Sequence, residues 1–167
     1  MTDPPTHERH KPPRPLVRPR PLLLVCAPLR SAVNLSRIAR VASCCGLQRI
    51  ISIGPERLDR KIARDAADHL QLERHRSLLP VLDELRADDY QLVGLEQTTG
   101  SHDLHAFPFD ARTALVIGNE RQGLPNEVLA RLDAVVEIPV WGPPASYNVA
   151  TATAMVLYEY CRQFPDG

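Results

Sequence analysis

Aromatic side chains are scarce, at 5% of the chain with a single tryptophan, so there is little from which to build a platform that stacks nucleobases. Long apolar runs are missing as well. None approaches the ~20 residues that a membrane span requires, and residues 1–21 lack the apolar stretch and small-residue cleavage site of a signal peptide. A soluble, cytoplasmic protein is expected. Net charge is also lacking, since 20 basic residues balance 20 acidic ones, which argues against a surface built throughout to hold nucleic acid. The four cysteines, Cys26, Cys44, Cys45 and Cys161, show no C-x-x-C spacing and read as reduced core thiols. The six histidines form no i, i+4 pair beside a glutamate, and His102 and His105 fall in an expected loop, so no metal site is expected.

Equally informative are the missing nucleotide and nucleophile motifs. The first apolar run ends Cys26-Ala-Pro-Leu-Arg30, without the G-x-G-x-x-G turn of a dinucleotide fold. There is no G-x-x-x-x-G-K-[ST] phosphate loop and no G-x-S-x-G nucleophile elbow.

What the chain does contain is short apolar runs without alternation, at 22–27, 50–53, 92–95, 114–117 and 134–138, which suit strands buried on both faces of a parallel sheet. Helical stretches separate them. Asn34 is placed to cap a helix over 35–45 that Gly46 ends; 58–70 and 77–87 carry helical spacing; Pro125 can open 126–132; and 148–163 is the longest candidate, apolar on most sides and expected to be buried. The alternation predicts one α/β domain over 21–167, with a mostly parallel sheet and helices on both faces. Residues 1–20 form an expected flexible tail, proline-rich and basic through Arg9, His10, Lys11, Arg14, Arg18 and Arg20. Such an arm can touch phosphates, although arms of this kind also serve simply as solubilising linkers.

In open parallel sheets, ligands bind beyond the carboxyl ends of the strands, and three unusual loops fall there: 34–40, 117–125 and 138–148. In the second loop, two glycines flank Asn-Glu-Arg, and glycine lets backbone approach a flat ligand. Read alone, that loop is equally a turn with Glu120 favoured by a helix dipole. Ser146 and Asn148, read alone, are helix caps.

Taken together, in order and spacing, the three loops resemble the motifs of the SpoU, or TrmH, family of SPOUT methyltransferases. Asn34 and Arg40 stand in the first, Gly118-Asn-Glu-Arg-Gln-Gly-Leu124 forms the second, and Ile138-Pro through Ser146-Tyr-Asn-Val149 forms the third, followed by a helix containing Tyr158-Glu159. The likeness spans about 22–164, and Gly94-Leu-Glu-Gln-Thr98 is similar to members that methylate the D-loop guanosine of tRNA. The resemblance implies an α/β fold with a C-terminal deep trefoil knot and S-adenosylmethionine as cofactor. It further implies a homodimer whose first motif faces the partner's cofactor, and an RNA substrate, tRNA before rRNA. Cofactor contacts are then expected from Leu95, Gly118, Asn119, Ile138 and Tyr147, where most relatives carry leucine in place of this tyrosine. The catalytic set is expected to be Arg40, Asn34, Glu120, Ser146 and Asn148. Arg40 would stabilise the developing 2′-alkoxide, Asn34 would orient its helix, Glu120 would fix Arg40 or the partner's loop, and Ser146 and Asn148 would order the third loop and substrate. Arg37, one turn before Arg40, competes with it for the place facing the ribose. The alternatives are an rRNA 2′-O-methyltransferase and a non-catalytic RNA-binding protein of the same fold.

Overall fold

The unalternating apolar runs become the middle of one sheet. The computed structural model describes residues 4–8 and 11–167, so Arg9 and His10 of the basic segment lie outside the described residues. Its strands are β1 (Leu23–Cys26), β2 (Arg49–Ile53), β3 (Gln71–His75), β4 (Gln91–Leu95), β5 (His102–Asp103), β6 (Thr113–Ile117) and β7 (Ala134–Glu137). Its helices are α1 (Ala32–Cys44), α2 (Arg60–Ala63), α3 (Ala66–His69), α4 (Leu78–Ala87), α5 (Asn126–Leu129) and α6 (Val149–Gln163). Every strand pairing is parallel, and the order is β3-β2-β1-β6-β4-β7-β5.

Successive strand residues point to opposite faces, so each apolar run feeds two cores. Leu24, Cys26, Leu115 and Ile117 pack against Leu35 and Ile38 of α1 and Leu157 and Tyr160 of α6. Leu23, Val25, Ala114 and Val116 pack against Val81, Leu82 and Leu85 of α4 and Val128 of α5. Helices therefore cover both faces, which is why the central strands carry no polar alternation.

Departures from the expected elements have local causes. β3 reads Gln71-Leu-Glu-Arg-His75; as an edge strand paired only with β2 it tolerates charge, so it carries no apolar run. β5 is likewise a short exposed edge, and it takes His102 out of the expected loop. The helix expected over 58–70 is two single turns, because Arg64 adopts φ +54° between them. α5 stops at Leu129, short of Leu132. α1 begins earlier than expected, with Ser31 as its N-cap accepting from the Asn34 amide, so Asn34 is not the cap. Gly46 does end that helix, at φ +79°. α6 buries one side only; Met155 and Tyr158 are exposed on the other. All four cysteines are free thiols, but only Cys26 is buried, and Cys44 is exposed.

Part of the proline-rich segment runs along the C-terminus. Val17 N–H donates to Asp166 O at 3.0 Å, Arg18 to Gly167 O at 2.9 Å, and Arg20 to Cys45 O at 2.7 Å and to Phe164 O. Beside them, Tyr160 lies between Phe109 and Phe164 and donates its hydroxyl to Ala111 O. Tyr160→Phe keeps the ring packing and leaves that carbonyl without its donor, so urea unfolding should show a loss of about 1 kcal/mol at unchanged m-value. An unaltered midpoint would mean that the hydrogen bond contributes nothing.

Candidate active site

Ser31 caps α1, and that leaves the Asn34 carboxamide free for another task. Asn34 is 9% exposed, and its Nδ2 donates to Glu120 Oε1 at 3.0 Å. Its Oδ1 accepts from Asn148 Nδ2 at 3.3 Å, and Asn148 Oδ1 in turn accepts from the amides of Ala150 (3.0 Å) and Thr151 (3.4 Å), capping α6. Glu120 also receives the backbone amides of Arg30 (2.9 Å) and Ser31 (3.2 Å), just ahead of α1. A carboxylate at a helix N-terminus and a motif residue are thus one and the same group. Burial alone would raise the Glu120 pKa, but the Arg30 amide, the Asn34 side chain and the amides of Glu120 and Ser31 outweigh it and hold the carboxyl below its ordinary value. Of the two partners expected for Glu120, Arg40 or the partner subunit's loop, Arg40 of the same chain is not among its contacts.

The second loop folds back on itself, with Asn119 and Gly123 exchanging backbone hydrogen bonds at 3.1 and 2.9 Å. Asn119 Oδ1 accepts from the amides of Arg121 and Gln122, and its Nδ2 donates to Pro28 O at 2.7 Å. This closure needs glycine at both ends. A Cβ on Gly118 would lie 2.7 Å from the carbonyl carbon of Gly123, and one on Gly123 would lie 2.2 Å from Glu96 Oε2, which already accepts from the Leu124 amide.

Between this loop and the ends of β4 and β7 lies a cavity of about 210 Å³. Leu95, Gly118, Asn119, Ile138 and Tyr147, the five expected cofactor residues, all line it, together with Glu120 and Ser146. The side chain of Asn119 is committed within its own loop, so what it offers the cavity is backbone. Three further groups were not legible in the sequence: Glu96, Glu137 and Arg121. Glu137 closes an apolar strand with nothing to single it out; its carboxylate accepts from Ser101 Oγ. Glu96 lies within the Gly94–Thr98 stretch but gave no sign of facing a ligand. With Glu96, Glu120 and Glu137 set against the one guanidinium of Arg121, and with walls of Leu95, Ile117 and Ile138, the cavity suits an extended ligand that is part apolar and carries positive charge.

Arg40 stands elsewhere. Arg37 and Arg40 are exposed and line a second groove with Asn148, Ala150, Thr151 and Ala154. Val149 and Ala152 line the first cavity, and at about 100° per residue the two sets fall on opposite sides of α6. Neither arginine has a carboxylate partner among the described residues. The structure therefore brings Asn34, Glu120 and Asn148 together, sets Ser146 at the cavity, and leaves Arg40 and Arg37 across α6 from it. Among the described residues no group of His, Cys, Asp and Glu could hold a metal ion, and no helix is long and apolar enough to cross a membrane.

The chain also resembles known proteins in sequence and in fold. A model of the SpoU rRNA Methylase family matches residues 21–158. The chain is 31% identical over 149 residues to the tRNA (guanosine(18)-2'-O)-methyltransferase TARBP1 of Mus musculus, covering 85% of this chain and 9% of that protein. It is 29% identical over 152 residues to the tRNA (guanosine(18)-2'-O)-methyltransferase of Escherichia coli strain K12, covering 89% of this chain and 66% of that protein. Among solved structures it is similar to the SpoU methyltransferase AviRb from Streptomyces viridochromogenes in complex with AdoMet, with a TM-score of 0.79 and 32% identity over 90% of this chain and 63% of that one. The chain thus spans less than two thirds of the length of each of these relatives.

The depressed Glu120 pKa fixes a sign. Its ionised form is favoured by folding, so the stabilisation is full above the ordinary value of 4.5 and is lost as pH falls through the lower folded value. Urea midpoints measured against pH should fall on that acid side. Glu120→Gln, which keeps an acceptor oxygen and loses the charge, should cost about 1 kcal/mol at neutral pH and flatten the acid slope. A parallel pair of curves would remove Glu120 from the acid transition.

Proposed function

The chain belongs to the SpoU rRNA Methylase family, and from that premise we propose that it transfers a methyl group from S-adenosylmethionine to a ribose 2′-hydroxyl of RNA. The observation that carries this reading is the cavity at the ends of β4, β6 and β7, where three carboxylates and the bare backbone of Gly118 meet apolar walls. Those groups fit S-adenosylmethionine, whose sulfonium and ammonium are cationic and whose adenosine is flat. When bound, it supplies a strongly electrophilic methyl group. Leu95, Gly118, Asn119 and Ile138 hold it through backbone and apolar contact, and the Tyr147 ring offers a face to the adenine. Glu96 and Glu137 favour its positive charge.

What remains for the chain is to orient a hydroxyl and ease the loss of its proton. The hydroxyl proton passes to solvent as the new O–CH3 bond forms and the S–CH3 bond breaks, and Arg40 lowers the cost by donating N–H groups to the developing alkoxide. Ser146 orders substrate at the cavity mouth, and Asn34, Glu120 and Asn148 hold the two helices between which Arg40 works. Since Arg40 lies across α6 from its own cavity, it serves the cavity of a second copy, and the working unit is a homodimer. Tyr158, exposed on the groove face of α6, and Met155 beside it are apolar surface for that contact. Residues 21–167 form the methyltransferase domain, and its C-terminal part is tied in a deep trefoil knot. This reading is supported by β6 and β7, late in sequence, lying between earlier strands.

The substrate in this reading is the D-loop guanosine of a tRNA, in the cytoplasm, since the mouse and E. coli relatives are named for guanosine 18 of tRNA. The family name keeps rRNA as the second reading. The deciding experiment transfers labelled methyl from S-adenosylmethionine to unmodified tRNA and to rRNA in parallel and maps the labelled ribose by nuclease digestion. Label on a D-loop guanosine supports the proposal, label on rRNA alone replaces its substrate, and a protein that binds RNA but labels neither is a binding module.

Arg40→Ala should abolish transfer while leaving cofactor affinity within about twofold, because the guanidinium acts on the transition state alone. Equal loss of both in a folded variant would remove that role. Co-refolding equal amounts of Arg40→Ala and Gly118→Val chains tests the dimer. Half of the dimers then hold one chain of each kind with one intact shared site, so about a quarter of wild-type activity should return. An inactive mixture would place Arg40 at its own chain's cavity.

A further inference from the structure

Trp141 is the only tryptophan in the chain and is 84% exposed. Phe107, Phe109, Tyr160 and Phe164 pack on one another in series, whereas Tyr147 and Tyr158 share exposure with Trp141 to a lesser degree. An indole left in water forgoes one of the largest gains from burial available to any side chain. Its position narrows what it can meet. The loop carrying it runs from Ile138 to Tyr147, and both of those residues line the cavity, so Trp141 belongs to the segment that an acceptor approaching the cavity meets. Pro139, Pro143 and Pro144 stiffen that loop, and Gln97 Nε2 donates to Ala145 O at 3.3 Å, so little ordering entropy remains to be lost on contact.

We infer that Trp141 is a stacking surface for a nucleobase of the RNA substrate, next to the nucleotide whose ribose is methylated. This rests on the reading of the cavity as a methyltransferase site. A second copy of the chain is the competing occupant. The exposed apolar side chain of α6 suited to it, Tyr158, falls on the groove face of that helix, opposite the face of Val149 and Ala152 that lines the cavity. An exposed indole on a loop whose two ends line the cavity, with Arg121 at that same cavity, matches an RNA strand, in which phosphates meet guanidinium groups and a base meets an aromatic face. The paucity of aromatics does not exclude this contact, since one ring at the mouth suffices.

Being the sole tryptophan, Trp141 reports on itself. The full-length protein, saturated with S-adenosylhomocysteine, is titrated with unmodified tRNA and with rRNA while indole emission is followed, and binding is measured in parallel by filter retention. Stacking predicts saturable quenching that tracks binding. Trp141→Ala should weaken RNA binding about five- to a hundredfold with cofactor affinity unchanged, and Trp141→Phe should restore most of it. RNA that binds without quenching, or an alanine variant that binds as well as wild type, overturns the inference. So does emission that is already blue-shifted in the free protein and varies with protein concentration, which assigns the ring to a second copy. RNA that quenches but receives no methyl group would instead overturn the activity and leave the stacking in place.

Discussion

Glu120 can only accept hydrogen bonds, and that single restriction sets the direction of the whole site. Its carboxylate requires Asn34 to present Nδ2, which turns Asn34 Oδ1 toward Asn148. Asn148 must then present its own Nδ2, and its Oδ1 is left facing the first amides of α6. Neither amide can flip without setting donor against donor or acceptor against acceptor. The β6 loop, the start of α1 and the start of α6 are thereby locked by one relay, though the three residues lie far apart in sequence. α6 needs such a tether, because the loop before it is exposed over most of its length. The relay exists only because Ser31 has already satisfied the Asn34 amide as the α1 cap.

The same arrangement keeps opposite charges apart. The cavity gathers Glu96, Glu120 and Glu137, whereas Arg37 and Arg40 lie beyond α6. Separated by a helix, the carboxylates remain available for a cationic cofactor and the guanidinium groups for an anionic polymer. Assembly of two copies then joins the halves at the point of use, in the dimer proposed above.

How much of this could be read from sequence follows from what each residue faces. The central strands were legible because burial on both faces removes polar alternation, and the motif loops because glycine, asparagine and proline cluster where a plain connection needs none of them. β3 and β5 were not, since an edge strand is free to be charged. The break at Arg64 depends on a positive φ that no glycine announced. Asn34 looked like a cap because asparagine commonly is one; only the folded chain shows Ser31 in that place. Glu96 and Glu137 are ordinary glutamates until the sheet brings their strand ends together. Trp141 could be counted in the sequence, but not its exposure.

Strand order explains why these parts come together only in the complete fold. β6 lies between β1 and β4, so residues 23–95 alone hold two central strands that each lack a neighbour. Parallel pairs gain nothing from a tight turn, so β1 and β4 must wait until the chain has passed residue 113, and β7 must then pair outside β4. Gly118 to Leu124 follows directly from β6, and Ile138 from β7, so the same insertions that complete the sheet deliver the walls of the cavity. Glu120 cannot reach the start of α1 until β6 is in register with β1, where Cys26 pairs with Ile117. The walls of the site therefore depend on the completed sheet. Without β6 and β7 the end of β4 has no loops opposite it, and Leu95 to Gln97 alone enclose nothing.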